Sequence, residues 1–283
     1  MALKLGSTGI GSLYLGSTKI SEAYLGSVKV FGSAPALPPY TIRLKFTQGV
    51  TPTFSNGTAV QVSTSPNIWD LTYNNTSWYR ILFSQTNLLE VIDANTTGVA
   101  DMEGMFSNCT ALTTVPLFDT SSVTTMINMF SDCTSLTTVP LFNTSSVTTM
   151  RDMLNGCTAL TTVPLFDTSS VTEMARMFFL CTSLTTVPLF DTSSVTNMAF
   201  MFNGCKALTT VPLFDTSSVT EMGYMFSGCK NVQSGALALY QQASTQANPP
   251  SIYYACFLNC GSLTVTGAQE LAQIPSSWGG TGA

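Results

Sequence analysis

Apolar residues in the middle of the chain follow two periods in turn. Val123, Met126, Met129, Phe130 and Cys133 are spaced 3-3-1-3, which lines one face of a helix of about three turns. Ser122 stands immediately before this run. In two copies, Ser170 with Glu173 and Ser218 with Glu221, a Ser-x-x-Glu capping box is complete; there hydroxyl and carboxylate satisfy two backbone N–H groups reciprocally. The preceding Leu112-Thr-Thr-Val-Pro-Leu117 reads as a short strand ended by proline, which has no N–H for a further ladder bond. The pattern predicts one strand and one helix per unit, with Leu, Val, Leu, Met and Phe pointing inward.

The unit recurs. Cys109, Cys133, Cys157, Cys181, Cys205 and Cys229 lie 24 residues apart, and near-copies begin at Leu112, Leu136, Leu160, Leu184 and Leu208. A diverged copy begins at Leu88, and a broken one ends in Phe257-Leu-Asn-Cys-Gly-Ser-Leu263. Its cysteine follows the previous one after 31 residues instead of 24, an insertion of seven placed within GALALYQQASTQANPP. Degenerate outer copies suit a solenoid, whose end faces must meet water. At ~4.8 Å per rung, such a stack runs roughly 30 Å.

The string LTTVPLFDTSSVTTMINMFSDCTSL resembles the BspA-like class of leucine-rich repeat, whose units carry the run F-D-T-S-x-V-T-x-M-x-x-M-F-x-x-C-x-x-L. The resemblance covers about Leu82 to Leu263. It implies an α/β repeat fold, a leucine-rich-repeat-like β/α solenoid with 24-residue units, here preceded by a small all-β N-terminal region. It also implies a binding scaffold without chemistry, of a family associated with adhesion at bacterial and protozoan cell surfaces.

Leu5-Gly6-Ser7, Leu15-Gly16-Ser17 and Leu25-Gly26-Ser27 recur every ten residues, with Ile10, Ile20 and Val30 closing each unit. Short alternating runs flank Gly-Ser, the signature of type II′ hairpins. They predict up to six strands of about three residues, too short to stand alone without docking on a larger assembly. This array resembles N-terminal segments of bacteriophage tail and fibre proteins. Domain limits follow: a short-strand attachment module at 1–34, a proline-rich linker at 35–39 and a β-rich aromatic capping segment at 40–81. The solenoid then occupies 82–264 and a C-terminal tail 265–283. In the capping segment Thr41–Phe46 and Val60–Val62 read as strands. Trp69, Leu71, Tyr73, Trp78 and Tyr79 would seal the first rung, with a carbohydrate platform as the alternative use of the same rings.

Each repeated column has a structural reading. One thiol per rung predicts a small buried core residue; Cys256-x3-Cys260 has no second pair beside it, so no metal is expected. Asn95, Asp119, Asn143, Asp167, Asp191 and Asp215 form an Asx column that fits turn capping. Stacked carboxylates would repel one another unless each accepts backbone N–H bonds. Threonine rows suit solvent-facing strand positions.

Where the copies disagree, packing does not dictate the residue. Between the two core methionines stand Glu103-Gly104, Ile127-Asn128, Arg151-Asp152, Ala175-Arg176, Ala199-Phe200 and Gly223-Tyr224. After the Phe or Leu stand Ser107-Asn108, Ser131-Asp132, Asn155-Gly156, Phe179-Leu180, Asn203-Gly204 and Ser227-Gly228. Arg151, Arg176, Phe179, Leu180, Phe200 and Tyr224 therefore form the candidate binding surface, an aromatic-plus-arginine composition typical of interaction hot spots.

Composition narrows the function. Among 283 residues there is no histidine, which removes imidazole dyads and histidine-ligated metals. No nucleophile motif or phosphate loop appears, so no enzyme and no cofactor are expected. Net charge is −5, unfavourable for nucleic acid. Despite a mean hydropathy of +0.28, no apolar run approaches the ~20 residues of a membrane span. The opening MALKLGSTGIGSLYLG lacks a signal-peptide core, which predicts synthesis in a host cytoplasm. Residues 1–87 carry six basic and two acidic residues; Leu88–Asn231 carry four and twelve. The leading expectation is a bacteriophage virion protein, a tail or head fibre. Its N-terminal module would dock on other virion proteins within a homo-oligomer or larger assembly, and its solenoid would bind a host surface protein or glycan. The alternatives are a BspA-like adhesin at a bacterial surface and a purely structural assembly or decoration protein.

Overall fold

The structure, a computed structural model of the chain, describes residues 37–54, 57–73 and 75–282, together with the backbone of four strands between 13 and 31. The chain divides into two units, Met1–Pro38 and Pro39–Ala283. In the first, β1 (Leu13–Leu15) pairs antiparallel with β2 (Thr18–Ile20), and β3 (Ala23–Leu25) with β4 (Val28–Phe31). These are two separate two-stranded ladders. The Gly-Ser connections and the expected strands before Leu13 lie outside the described residues.

The second unit opens with an antiparallel sheet in the order β6-β7-β5-β8, formed by β5 (Thr41–Phe46), β6 (Thr58–Thr64), β7 (Asn67–Thr72) and β8 (Leu88–Asn95). Ile42, Leu44 and Phe46 turn fully or almost fully buried side chains to the core. On the other face Arg43 grips Asp70 with two 2.7 Å bonds. Strand β8 has a double role. It pairs with β5, and its Leu89 carbonyl also accepts the Thr113 N–H at 3.0 Å. The capping sheet thereby passes directly into the repeats.

Rungs follow, but they contain no helix. Among the described residues the α-helices are α1 (Ala236–Thr245) and α2 (Val265–Leu271), both beyond the regular repeats. The stretch expected to be helical is a chain of reverse turns. Met126 accepts from the Met129 N–H at 3.2 Å, and Phe130 from the Cys133 N–H at 3.1 Å. The third residue of each turn, Asn128 and Asp132, is left-handed, at φ 54° and 58°. A right-handed helix cannot take positive φ at every fourth residue. The remaining peptides point along the stack instead: Asn128, Phe130 and Asp132 donate to Arg151, Met153 and Asn155 of the next rung at 3.0, 2.9 and 2.7 Å. The capping boxes do not form either. Glu173 accepts from the Ala175 N–H at 2.9 Å, and the Ser170 hydroxyl donates to the Ser145 carbonyl.

The predicted strand is reduced to single pairings. Thr137, Thr185 and Thr209 donate backwards to Thr113, Thr161 and Thr185. The chain then bends at proline, where Phe142, Phe166, Phe190 and Phe214 donate to the carbonyl two residues back, on Pro140, Pro164, Pro188 and Pro212. This three-residue γ-type turn reverses the expected orientation of its central residue. Leu117, Leu141, Leu165, Leu189 and Leu213 point outward, 52–66% exposed, while the following Phe is buried.

Two walls thus close on a core of rings. Phe178 and Phe202 stack at 5.3 Å and Phe202 and Phe226 at 5.1 Å on the turn wall, and Phe190 and Phe214 at 6.4 Å on the proline wall. Contacts across the core join them, Phe178 to Phe190 at 6.1 Å and Phe202 to Phe214 at 6.0 Å. Stacked aromatic pairs add ~0.5–1.5 kcal/mol beyond their buried area. The result is a repeat solenoid. It starts earlier than the copies suggest: Trp78, Arg80, Leu82 and Ser84 donate to Asp101, Glu103, Met105 and Ser107 as a full turn wall. At the other end the inserted residues hold α1, and the broken rung keeps register because Phe226 and Gly228 donate to Cys256 and Leu258. The expected tail is a lid, with Trp278 stacked on Tyr253 at 4.4 Å and its carbonyl accepting the Phe257 N–H.

Candidate functional site

The repeated columns settle into structural roles. Each cysteine from Cys109 to Cys229 is fully buried, and its thiol donates to a carbonyl of the preceding rung, as Cys133 does to Phe106 at 3.1 Å. Burial pushes the Cys109, Cys181 and Cys229 thiols up to about 12, against only partial relief from hydrogen bonding. A thiolate is the reactive form, so this column is packing. The Asx column forms Asx turns. Asp119, Asp167, Asp191 and Asp215 accept the N–H two residues on at 2.9, 3.1, 3.0 and 2.8 Å. Hydrogen bonds from the serine side chain and backbone hold these four carboxyls below the usual range, which is how a stacked acidic row is tolerated. Among the described residues no three His, Cys, Asp or Glu side chains group as a metal site.

The candidate binding residues occupy the turn wall. Arg176 caps the Phe200 ring at 5.3 Å, Phe200 stacks on Tyr224 at 5.0 Å and 17°, and Phe179 meets Phe200 edge-on at 6.4 Å. Arg151 and Arg176 line one shallow depression with Phe200, Glu173 and Asn197, about 190 Å³ in volume. Leu180 lies apart from the ring ladder. It drapes over the next rung, where a Cβ added to Gly204 would meet its Cδ2 at 2.6 Å. One member was missed: Tyr254 packs edge-on against Tyr224 at 5.1 Å. The seven-residue insertion had shifted it out of the 24-residue alignment.

Backbone geometry separates these residues from their counterparts. The position between the methionines is left-handed in every rung. It holds Arg80 at φ 50° in the first rung and Gly104, Asn128 and Asp152 in the next three, then Arg176, Phe200 and Tyr224 at φ 58°, 59° and 56°, and Ala255 in the last. Leu180 stands at φ 57° where Gly156, Gly204 and Gly228 serve the same turn in other rungs. Glycine and Asn or Asp tolerate this region, whereas larger side chains lose ~1–2 kcal/mol per residue. A ring pair returns ~0.5–1.5 kcal/mol beyond its buried area, of the same order as the strain. Smaller residues of the kind seen at Gly104, Asn128 and Gly204 serve the same turns without this strain.

A family model described as "Mycoplasma protein of unknown function, DUF285" matches residues 76–183 and 137–246. The chain belongs to this family. In this DUF285 member the two matched spans together include every rung from Trp78 to Val232 and all six candidate residues. No curated protein matches the chain. Two solved structures are similar to it. One is the T. pallidum leucine-rich repeat protein, 19% identical, with a TM-score of 0.44, covering 62% of this chain and 78% of that one. The other is a leucine-rich repeat protein from Eubacterium ventriosum, 22% identical, with a TM-score of 0.31, covering 55% and 43%.

Proposed function

We propose that this chain is an adhesion scaffold, a leucine-rich-repeat-like solenoid that contacts a surface-borne partner through the turn wall of its C-terminal rungs. The observation that carries the reading is the left-handed backbone at Arg176, Leu180, Phe200 and Tyr224. Strain held at exposed or half-buried positions points to a contact role more than to packing. The ring order favours a protein partner over a sugar platform. Phe200 and Tyr224 spend faces on each other and Arg176, leaving ring edges outward, whereas a sugar would stack on an open face. The adhesin reading stands ahead of the virion reading, which rests on the N-terminal ten-residue array and gains nothing from the comparisons. A bacterial cell surface is the corresponding location, and no catalysis is assigned.

The test has two arms. Antibody labelling of intact producing cells and of particles shed from them should mark the cell surface; label confined to phage particles would reverse the order of the two readings. Purified chain on beads should attach to those cells, and Phe200→Ala/Tyr224→Ala should reduce attachment at least tenfold. Unchanged attachment by that variant would remove the turn wall from the account.

A further inference from the structure

Hydrogen bonds along the turn wall run one way. In the regular rungs alternate N–H groups donate to the rung ahead, and the carbonyls between them accept from the rung behind. The carbonyls of Glu103, Met105 and Ser107 accept in this way from Arg80, Leu82 and Ser84. Their counterparts one rung earlier, on Tyr79, Ile81 and Phe83, have no rung behind them and accept no hydrogen bond among the described residues. Other ends of the stack are closed: β8 is paired with β5, and in the last rung the Phe257 N–H is taken by the Trp278 carbonyl of the lid. The first rung of the turn wall is thus an open edge of three acceptors. A cavity of about 420 Å³ adjoins it, lined by Arg80, Ile81, Phe83 and Gln85 of that rung and by Thr53 and Phe54 of the β5–β6 connection. The Arg80 guanidinium lies 5.3 Å from the Tyr79 ring and 5.0 Å from the Phe83 ring. It makes no ion pair among the described residues. The acids Asp101 and Glu103 belong to the second rung, and the Asp101 carboxylate already accepts from the Ser77 hydroxyl and the Glu103 N–H, each at 2.9 Å.

We propose that this edge takes up one further rung: a turn-forming peptide segment of a partner protein, with an aspartate over Arg80. The site is separate from the Arg176–Tyr224 ladder and does not depend on the adhesion reading. Three features specify the occupant. Acceptors on alternate residues call for backbone N–H groups on alternate residues, as when a peptide extends the edge of a sheet. The column headed by Arg80 is left-handed down to Ala255, so the residue added above it must suit positive φ, which aspartate, asparagine and glycine do. Side chains at these left-handed turns also lean onto the rung ahead. A Cβ added to Gly104 would meet the Arg80 Cγ at 2.8 Å, as one added to Gly204 would meet the Leu180 Cδ2. An aspartate in the added rung therefore reaches toward Arg80, and there it forms a charge-assisted bond with a guanidinium that lacks a carboxylate. Phe54 and Phe83 flank the apolar residues of the segment.

A synthetic peptide with the sequence of Thr149–Cys157, its cysteine replaced by serine, is the probe. It carries Asp152 in the required column, and in its own rung Asp152, Leu154 and Gly156 donate forward. Fluorescence anisotropy of the labelled peptide with the full chain should show saturable binding. N-methylation at Asp152, Leu154 and Gly156 of the peptide should weaken it at least tenfold. N-methylation at Arg151, which donates to no other rung, should leave it unchanged. Asp152→Asn in the peptide and Arg80→Asn in the chain should each weaken binding at least tenfold, and the two together no more than either alone, the mark of a direct contact. Asparagine already holds this column at Asn128, so Arg80→Asn should keep the unfolding midpoint; Arg80→Gly serves if it does not. Absence of saturable binding, additive losses, or binding that survives N-methylation of the forward donors overturns the proposal. If the chain alone forms dimers on sedimentation that Arg80→Asn abolishes, the edge belongs to a second copy and the partner assignment falls.

Discussion

The middle rungs, from Gly104 to Asp152, and the C-terminal rungs share one backbone and one core, yet they treat the same left-handed position differently. Gly104, Asn128 and Asp152 fill it with residues that suit it; Arg176, Phe200 and Tyr224, like Arg80 in the first rung, fill it with residues that do not. The inner columns do not change across this divide. Phe106 stacks on Phe130 at 5.3 Å as Phe178 does on Phe202. The difference therefore lies in what the outer surface carries. The middle rungs are a spacer built for economy of strain, and the C-terminal rungs hold rings at some local cost.

Neighbouring residues give the sharpest contrast and the largest expected effect. Phe202 is fully buried in both ring stacks, so Phe202→Ala should lose ~3–5 kcal/mol in urea denaturation. Phe200→Ala, two residues earlier, should change stability by less than ~1 kcal/mol, because lost stacking and residual left-handed strain nearly cancel. Equal losses at the two positions would break the distinction between inner and outer columns. A transplant is next in size. Asn128→Phe places a ring at φ 54° beside Gly104 and Asp152, with no aromatic neighbour in its column, and should destabilise by ~1–2 kcal/mol. An unchanged melting curve would mean that the left-handed position is indifferent to its side chain.

The repeat length, the buried cysteine and the Asx turns were all legible in the sequence, because each is a column copied every 24 residues; the six candidate residues stood out only as departures from those columns. The helix was misread for a physical reason. Spacing of 3-3-1-3 is met equally by a helix and by successive four-residue turns, since both return a side chain to the same side after three or four residues. The discriminating signal was present in the polar columns. Gly104, Asn128, Asp152, Asn108, Asp132, Gly156, Gly204 and Gly228 are the residue types that accept positive φ, and no helix would repeat them at these positions. The outward leucines were misplaced because alternation was carried through Pro140 and its equivalents, where a γ-type turn flips the phase. Tyr254 and the lid around Trp278 depend on an insertion and on tertiary packing that no column records.

The smallest effect concerns the proline wall of both regions. Its aspartates have folded pKa values below their unfolded value near ~3.9, through serine hydrogen bonds. Their contribution to stability is complete above that unfolded value and is lost as pH falls through the folded one. The unfolding midpoint should therefore drop between pH 4 and pH 2. Asp191→Asn should flatten its share of that drop, since Asn143 already makes the same turn with Ser145. A slope unaltered by the substitution would assign the acid sensitivity elsewhere.

The central claim is that the large left-handed residues serve contact and not folding. Its most direct test is the triple variant Arg176→Gly/Phe200→Gly/Tyr224→Gly, with urea midpoint and attachment to cells measured on the same preparation. The account predicts a midpoint equal to or above that of the original chain, together with lost attachment. A lowered midpoint with attachment intact would contradict it.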